Sequence, residues 1–378
     1  MSTASIAFRT GMAVILTGGF LAMMAAYNAN AAPPRSQASD TPNVQNARLE
    51  TRALAGPLAA ELKTFEAKSA QPRWIGYSVP QIAGDREVCC AGSNGNWNQD
   101  CGLCRLESSD HGVNMNSRDA SVNLEAPRAI AILFRAENKK IMKLRVVSAA
   151  CTIDAGGLPF VWITGVKPAE SVAYLANYVR GENSSDGDDR KLGRESLTAI
   201  ALHADESADR ALESFVRPTE REEIRKQTAF WLGEARGKAG LATLQQMAKS
   251  DPSTEVRSQV AFALSVSREP AAVDEMIRMA KEDGSSHVRG QALFWLAQKA
   301  GKKAAATITG AIENDPDTEV KKKAVFALSQ MPKDEGVPKL IEVAQNNRNP
   351  AVRKQAMFWL GQSNDPRALA FFEKVLSQ

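Results

Sequence analysis

The C-terminal half of the chain repeats itself every 32 residues, and this repeat constrains the fold more than any other feature of the sequence. A β-branched residue followed by a basic one recurs at Ile224-Arg225, Val256-Arg257, Val288-Arg289, Val320-Lys321 and Val352-Arg353. Leucines follow at the same interval, at Leu232, Leu264, Leu296, Leu328 and Leu360. Each unit holds two amphipathic helical patterns, so the period predicts an α-solenoid. Residues 192–217 form a degenerate first repeat, which gives about six repeats over residues 190–378.

The repeated motif V-R-x-x-A-x-x-x-L, followed by a second amphipathic helix, resembles the HEAT repeat of the bilin-lyase-like (PBS lyase) class. The resemblance implies an armadillo-type fold with an acid–base stacking ladder, in which Asp251 pairs with Arg257, Asp283 with Arg289 and Asp315 with Lys321. That class includes phycobilin lyases, a deoxyhypusine hydroxylase and many binding scaffolds, so the resemblance specifies a fold better than a function.

Neither enzyme of that class fits this sequence. The hydroxylase holds its iron with His-Glu pairs, and the solenoid contains only His203 and His287, neither of which is followed by Glu. A bilin lyase acts in the cytoplasm, which conflicts with the export signal described below. We therefore predict no metal, no cofactor and no catalytic residue in the solenoid.

Two columns of side chains are predicted to face away from the repeat core on the second helices, which we expect to line the concave side. The aromatic column is Phe230, Phe262, Phe294, Phe326 and Phe358, and the amide column is Gln227, Gln259, Gln291 and Gln355. Aromatic rings supply apolar area and amides pair with a backbone, so the columns predict a groove for an extended polypeptide. The alternative is that each Phe tucks between adjacent repeats.

Other repeated features favour structural interpretations. Trp231, Trp295 and Trp359 alternate with Ala263 and Ala327, which predicts large and small residues interleaved on the buried face. The cluster Lys321-Lys322-Lys323 is read as a solvated helix face. With 47 basic and 43 acidic residues, the chain has a formal charge of only +4, and no nucleic-acid partner is expected.

The N-terminus has the layout of a secretory signal peptide. Arg9 precedes an apolar stretch over residues 11–26, and Ala29-Asn30-Ala31 supplies the small residues of a cleavage site. We expect cleavage after Ala31, a periplasmic or secreted protein, and no integral membrane association once the signal is removed. An uncleaved anchor is the alternative.

The region that follows the signal divides into two parts. Residues 32–70 are predicted to be a tether followed by a helical segment, because Leu49, Leu54, Leu58, Leu62 and Phe65 recur at helical spacing. Residues 71–181 read as a small β-rich domain that contains the cysteines. Its strands are predicted at residues 74–79, 129–135, 141–148 and 160–164, with a hairpin turn at 136–140 and a helix over 167–180.

Three interpretations compete for the cysteines Cys89, Cys90, Cys101, Cys104 and Cys151. In an exported protein, one or two disulfides linking Cys89 or Cys90 to Cys101, Cys104 or Cys151 are the favoured prediction. Four thiolates with His111 nearby would also suit zinc, although the adjacent Cys pair is not a usual ligand spacing. Cys101-Gly102-Leu103-Cys104 looks like the CGxC of thioredoxin-like proteins, but it lacks a preceding strand and a following helix.

The sequence thus predicts an α+β chain in which a β-rich domain precedes an all-α solenoid. We expect an exported, non-catalytic scaffold that binds another protein or an extended peptide on the concave second-helix surface. The alternative is thiol-redox or zinc-dependent activity in the cysteine domain, with the solenoid holding the substrate.

Overall fold

The computed structural model of this protein describes residues 42–84, 88, 103–107, 128–181 and 187–377. The predicted signal peptide and its cleavage site lie outside these residues, as do Cys89, Cys90, Cys101 and His111. In the part of the chain that is described, no helix is both long and apolar enough to cross a membrane.

The N-terminal region is built on strands, and the C-terminal region on helices. The strands are β1 Val44–Gln45, β2 Arg48–Ala53, β3 Arg73–Pro80, β4 Leu103–Arg105, β5 Ala129–Glu137, β6 Lys140–Ser148, β7 Thr152–Asp154 and β8 Pro159–Thr164. The helices of the N-terminal region are α1 Leu58–Lys68 and α2 Pro168–Gly181. The remaining helices are α3 Gly187–Leu202, α4 Glu206–Phe215, α5 Glu222–Ala235, α6 Gly237–Ser250, α7 Thr254–Val266, α8 Ala271–Glu282, α9 Ser286–Ala300, α10 Lys302–Asn314, α11 Thr318–Ser329, α12 Lys333–Asn346, α13 Pro350–Gln362 and α14 Pro366–Leu376. This confirms the predicted fold class.

Five of the strands form a mixed sheet in the order β2-β8-β3-β5-β6. The strands β2, β8 and β3 run parallel, and β3, β5 and β6 are antiparallel neighbours. The β5–β6 hairpin turns at Asn138 and Lys139, which both adopt positive φ, as a tight hairpin turn requires. Gly76 lies at the centre of β3, where a Cβ atom would come within 2.7 Å of Leu133 Cδ2. The four predicted strands and their hairpin are confirmed.

Residues 44–53 were expected to begin a helix, and that prediction is wrong. They form β1 and β2, and β2 pairs with β8 along its whole length from Arg48↔Pro159 to Ala53↔Thr164. The leucine spacing that indicated a helix continues correctly only into α1, where Leu58, Leu62 and Phe65 are buried. The strand is stabilised by long-range pairing, which a local periodicity does not report.

The two faces of the sheet have different neighbours. One face packs against α1 and α2, and its core continues without a break into the solenoid. The other face carries Trp74, Phe160 and Trp162 and packs against a second sheet, in the order β1-β7-β4, through Cys104 and Ile153. The sheet region therefore has two separate apolar clusters.

Helices α3 to α14 form six antiparallel pairs, as the repeat predicted. The odd-numbered helices from α5 to α13, which we call the inner helices, contact one another along the array far more extensively than the even-numbered helices do. A two-layer array curves toward the layer whose members lie closer together, so the inner helices line the concave side. Gly233 permits one such approach, because a Cβ atom there would lie 2.1 Å from the Ala263 carbonyl oxygen.

An Arg–Asp ladder does link the repeats, but with partners other than those expected. Arg225 pairs with Asp251, Arg257 with Asp283 and Arg289 with Asp315, through two bonds each of 2.8 to 3.2 Å. The residue six positions after each Asp instead uses Nη1 to bond the backbone carbonyl of that Asp, as Arg257 does at 2.8 Å. Motif spacing alone did not distinguish a side-chain partner from a backbone partner.

The ladder is interrupted at the next step. Lys321 takes the place of the Arg and donates to the Glu313 carbonyl at 2.8 Å, while Asn347 takes the place of the Asp. Arg and Asp are replaced together, so no buried carboxylate loses its partner at this interface. In the unbroken steps, hydrogen bonds from Asp283 and Asp315 raise the pKa of Arg257 and Arg289 respectively.

Candidate protein-binding surface

The inner helices carry an uninterrupted row of aromatic rings along the concave side. The row, which we call the aromatic row, consists of Trp231, Phe230, Phe262, Trp295, Phe294, Phe326, Trp359 and Phe358. Consecutive ring centroids are 4.7 to 6.0 Å apart. Two steps between repeats are nearly parallel stacks, with interplanar angles of 13° for Phe230–Phe262 and 6° for Phe294–Phe326.

The phenylalanines combine the two roles that the sequence left as alternatives. Each of the first four is half-buried and touches a ring of a neighbouring repeat, so it does pack between repeats. None is fully buried, and Phe358 is 54% exposed. Since isolated apolar surface is normal but a continuous aromatic strip is not, the row qualifies as a candidate contact surface.

The tryptophans were expected on the buried face, and that expectation is wrong. Trp231, Trp295 and Trp359 are only partly buried and lie against the edge of the core as members of the aromatic row. Their small counterparts Ala263 and Ala327 are fully buried. A Trp side chain at this position reaches out of the core toward the preceding repeat, which an Ala cannot do. The signal in the sequence was the recurring Phe-Trp dipeptide.

The aromatic row lies on the first helix of each pair, counting from α3, and not on the second as predicted. The motif helices α5, α7, α9, α11 and α13 carry it, while the alternate helices form the outer layer. The predicted concave location was therefore attached to the wrong member of the pair. The physical argument for concavity is the close packing among the motif helices.

The glutamine column accompanies the aromatic row. Gln227, Gln259, Gln291 and Gln355 are all half-buried. Gln227 donates to Glu223 at 3.1 Å, and this bond lowers the pKa of Glu223. Within the described part of the chain, the side chains of Gln259, Gln291 and Gln355 form no hydrogen bond. Their amide groups are available to a ligand.

The two columns meet in an open cleft of about 380 Å³ across three inner helices, α5, α7 and α9. Its walls are Lys226, Glu255, Ser258, Gln259, Phe262, His287, Gln291 and Trp295. One wall is therefore aromatic and the other polar, with charges of both signs. The Ser258 Oγ atom is buried there and has no hydrogen-bond partner among the described residues. Such a surface can hold apolar side chains and hydrogen-bond an amide backbone at once.

Of the cysteines, the structure describes two. Cys104 is buried in β4 and is disulfide-bonded to a residue outside the described ranges. The Cys151 thiol is buried beside it in sequence-distant β-structure, with Sγ 3.9 Å from the Val88 carbonyl. Among the described residues, no group of His, Cys, Asp and Glu is arranged to hold a metal ion. The pairing of Cys89, Cys90 and Cys101 stays a prediction.

A buried polar network at the junction between sheet and solenoid was not foreseen from the sequence. Ser171 on α2 bonds both Tyr77 Oη at 2.8 Å and His203 Nε2 at 2.9 Å, while His203 Nδ1 bonds the Ala199 carbonyl at 2.7 Å. Burial lowers the pKa of His203 to about 4 and raises that of Tyr77. Ser171, Tyr77 and His203 are fully enclosed, so no substrate reaches the serine. The network fixes the junction.

Comparison with known proteins places the solenoid but not the whole chain. No match to a curated protein sequence was found. Human deoxyhypusine hydroxylase in complex with glycerol aligns at 13% identity over 55% of this chain and 90% of its own, with a TM-score of 0.30. The CpcE–CpcF complex of phycocyanin lyase from Nostoc sp. PCC7120 aligns at 18% identity over 55% and 80%, with a TM-score of 0.29. An engineered protein aligns at 20% identity over 51% and 58%, with a TM-score of 0.27.

The family model for HEAT repeats matches residues 210–297 and 305–378. These ranges contain all five inner helices and the whole aromatic row. The C-terminal region of this chain is therefore an array of HEAT repeats, and the chain is a repeat-based helical scaffold.

Proposed function

We propose that this protein is a non-catalytic scaffold that binds an extended segment of another protein along the concave side of its solenoid. The observation that carries the proposal is the aromatic row, which runs through five successive inner helices with each ring half-buried or exposed. A row that served packing alone would be covered. Here the rings are held in place by stacking and still present apolar area to a ligand.

The chemistry of the groove favours a polypeptide. Extended peptides expose alternating side chains and an unpaired backbone, and they are recognised by apolar pockets together with hydrogen-bonding groups. The aromatic row supplies the first, and the amides of Gln259, Gln291 and Gln355 supply the second. The cleft at α5–α9 has Lys226 and Glu255 at its rim, so it is not selective for a strongly charged ligand.

Peptide display against the purified protein tests this proposal. A library of random 16-residue peptides (a length of roughly 50 Å when extended) is selected for binding, and the enriched peptides are measured by fluorescence anisotropy. We expect enriched peptides with apolar residues two positions apart. Gln259→Ala combined with Gln291→Ala should weaken binding by about tenfold, because two backbone contacts of about 0.5–1.5 kcal/mol each are lost.

The matched control lies on the outer layer. Gln245 on α6 and Gln345 on α12 are helical glutamines outside the groove, and Gln245→Ala with Gln345→Ala should leave binding unchanged. If both double variants weaken binding equally, or if no peptide is enriched over a display without the protein, the groove proposal is wrong.

We also propose that the protein is exported, with cleavage after Ala31, and that its cysteines form a structural disulfide framework. The basis is the signal-like layout of residues 1–31 together with the disulfide at Cys104. Intact-mass spectrometry of protein from the periplasm or medium, alkylated under denaturing conditions without reductant, tests both points. A chain starting at Ala32 with two bridges and one alkylated thiol is expected. Alkylation of all five thiols would overturn the disulfide proposal.

A further inference from the structure

The last described helix, α14, exposes side chains that the equivalent helix one repeat earlier buries. In α12, Val337, Leu340, Val343 and Ala344 are 3%, 1%, 8% and 4% exposed, respectively. The residues 32 positions later are Leu369 at 62%, Phe372 half-buried, Val375 at 43% and Leu376 at 86%. We call these four residues of α14 the terminal face. Repeat arrays need a polar outer surface on a terminal repeat, and this face is apolar.

The ladder is also incomplete at this end. Arg353 Nη1 donates to the Asn347 carbonyl at 2.8 Å, as Arg289 Nη1 donates to the Asp283 carbonyl at 2.9 Å. In Arg289 the remaining edge of the guanidinium holds Asp315. No described carboxylate takes that edge of Arg353. The terminal face and Arg353 together form the half of a repeat interface that receives a partner.

A second copy of this chain cannot complete that interface head to tail. The head of the array, α3 and α4, packs against α2, and α3 also packs against β6. A second copy can therefore present only its own terminal face, which makes the contact isologous and closed.

The terminal face is complementary to itself. Leu369, Phe372 and Leu376 are spaced by three and four residues and lie on one side of α14. When two such helices cross in opposite directions about a twofold axis at Phe372, Leu369 of each copy meets Leu376 of the other. Exposed Glu373 beside this stripe offers a carboxylate, and Arg353 offers the unfilled guanidinium edge. Both apolar and charged groups find partners in the same arrangement.

We propose that the terminal face is the site at which two copies of this protein associate about a twofold axis. In the dimer the two concave grooves extend from a common centre in opposite directions. The area that α14 leaves uncovered is then buried as its counterpart in α12 is.

Sedimentation equilibrium on the exported full chain tests the proposal. The expected result is twice the monomer mass, and Leu369→Glu with Leu376→Glu should weaken association by about a hundredfold or more, because both leucines are at the centre of the contact. Leu49 is 40% exposed on β2, far from α14 in sequence and in a different layer. Leu49→Glu is therefore the matched control and should leave the dimer intact.

A second variant tests the orientation without destabilising the chain. Phe372→Cys should form an interchain disulfide on mild oxidation, whereas Leu49→Cys should not. A monomer at every accessible concentration would overturn the proposal. So would a dimer that survives both glutamates, or a dimer in which Phe372→Cys does not cross-link, since each would place the contact elsewhere.

Discussion

Replacing Phe294 by alanine measures how much of the aromatic row is packing. Phe294 is half-buried, its ring stacks on Phe326 at 5.6 Å and 6°, and it meets the Trp295 ring at 4.8 Å. Truncating a fully buried Phe costs about 3–5 kcal/mol. About half of that area is already in water, so the transfer and stacking losses together come to about 2 kcal/mol.

Leu296 provides the matched control on the same helix. It is fully buried, and Leu296→Ala should cost about 3–4 kcal/mol. Urea denaturation followed by far-ultraviolet circular dichroism gives both values under the same conditions. If Phe294→Ala costs as much as Leu296→Ala, the ring is core and the aromatic row has little apolar area to offer a ligand. If it costs nothing, the stacking does not hold the rings.

Three further predictions concern the scaffold. His203 has a folded pKa of about 4, below its value of about 6.5 in an unfolded chain, so the unfolded state binds the extra proton between these values. Stability should therefore fall by up to about 3 kcal/mol as pH drops from 6.5 to 4, and His203→Gln should flatten that part of a pH series of urea midpoints. Arg289→Met should cost about 3–5 kcal/mol by leaving Asp315 buried and unpaired. Arg289→Lys with Asp315→Asn, which copies the following repeat, should recover most of this loss in the same urea assay. Gly233→Ala should lower the melting temperature by several degrees because of its clash with backbone, whereas Gly361→Ala, with open space around it, should raise it slightly.

The solenoid was predictable because its signals are local and repeated. Each helix pair carries the same leucine and β-branched positions, so a chance pattern at one site is corrected by the others. The Asp and Arg of the ladder were also identified, but their pairing was not, since the two candidate carboxylates for each Arg differ by 32 residues and only the superhelix decides between them. Residues 44–53 were misread because a strand that pairs with β8 has few local signals of its own.

The candidate surface was predictable in its composition and not in its geometry. The phenylalanine and glutamine columns could be read from the period, yet an ideal helix does not tell whether a ring contacts the next repeat. Trp231 was assigned to the core because the 64-residue alternation resembled interleaved packing. The Tyr77–Ser171–His203 network joins three elements that are distant in the sequence, and nothing local indicates it.

The interruption at Lys321 and Asn347 gives the array uneven stiffness. The earlier repeats are joined by paired guanidinium and carboxylate groups, which resist sliding because both bonds must break together. Between α11 and α13 the described polar link is a single bond of 3.0 Å from Asn349 to Thr318. Bending is therefore cheapest at this joint. A bound segment that is too straight or too curved for the resting groove would be accommodated there, by a change in pitch of the C-terminal turn of the superhelix.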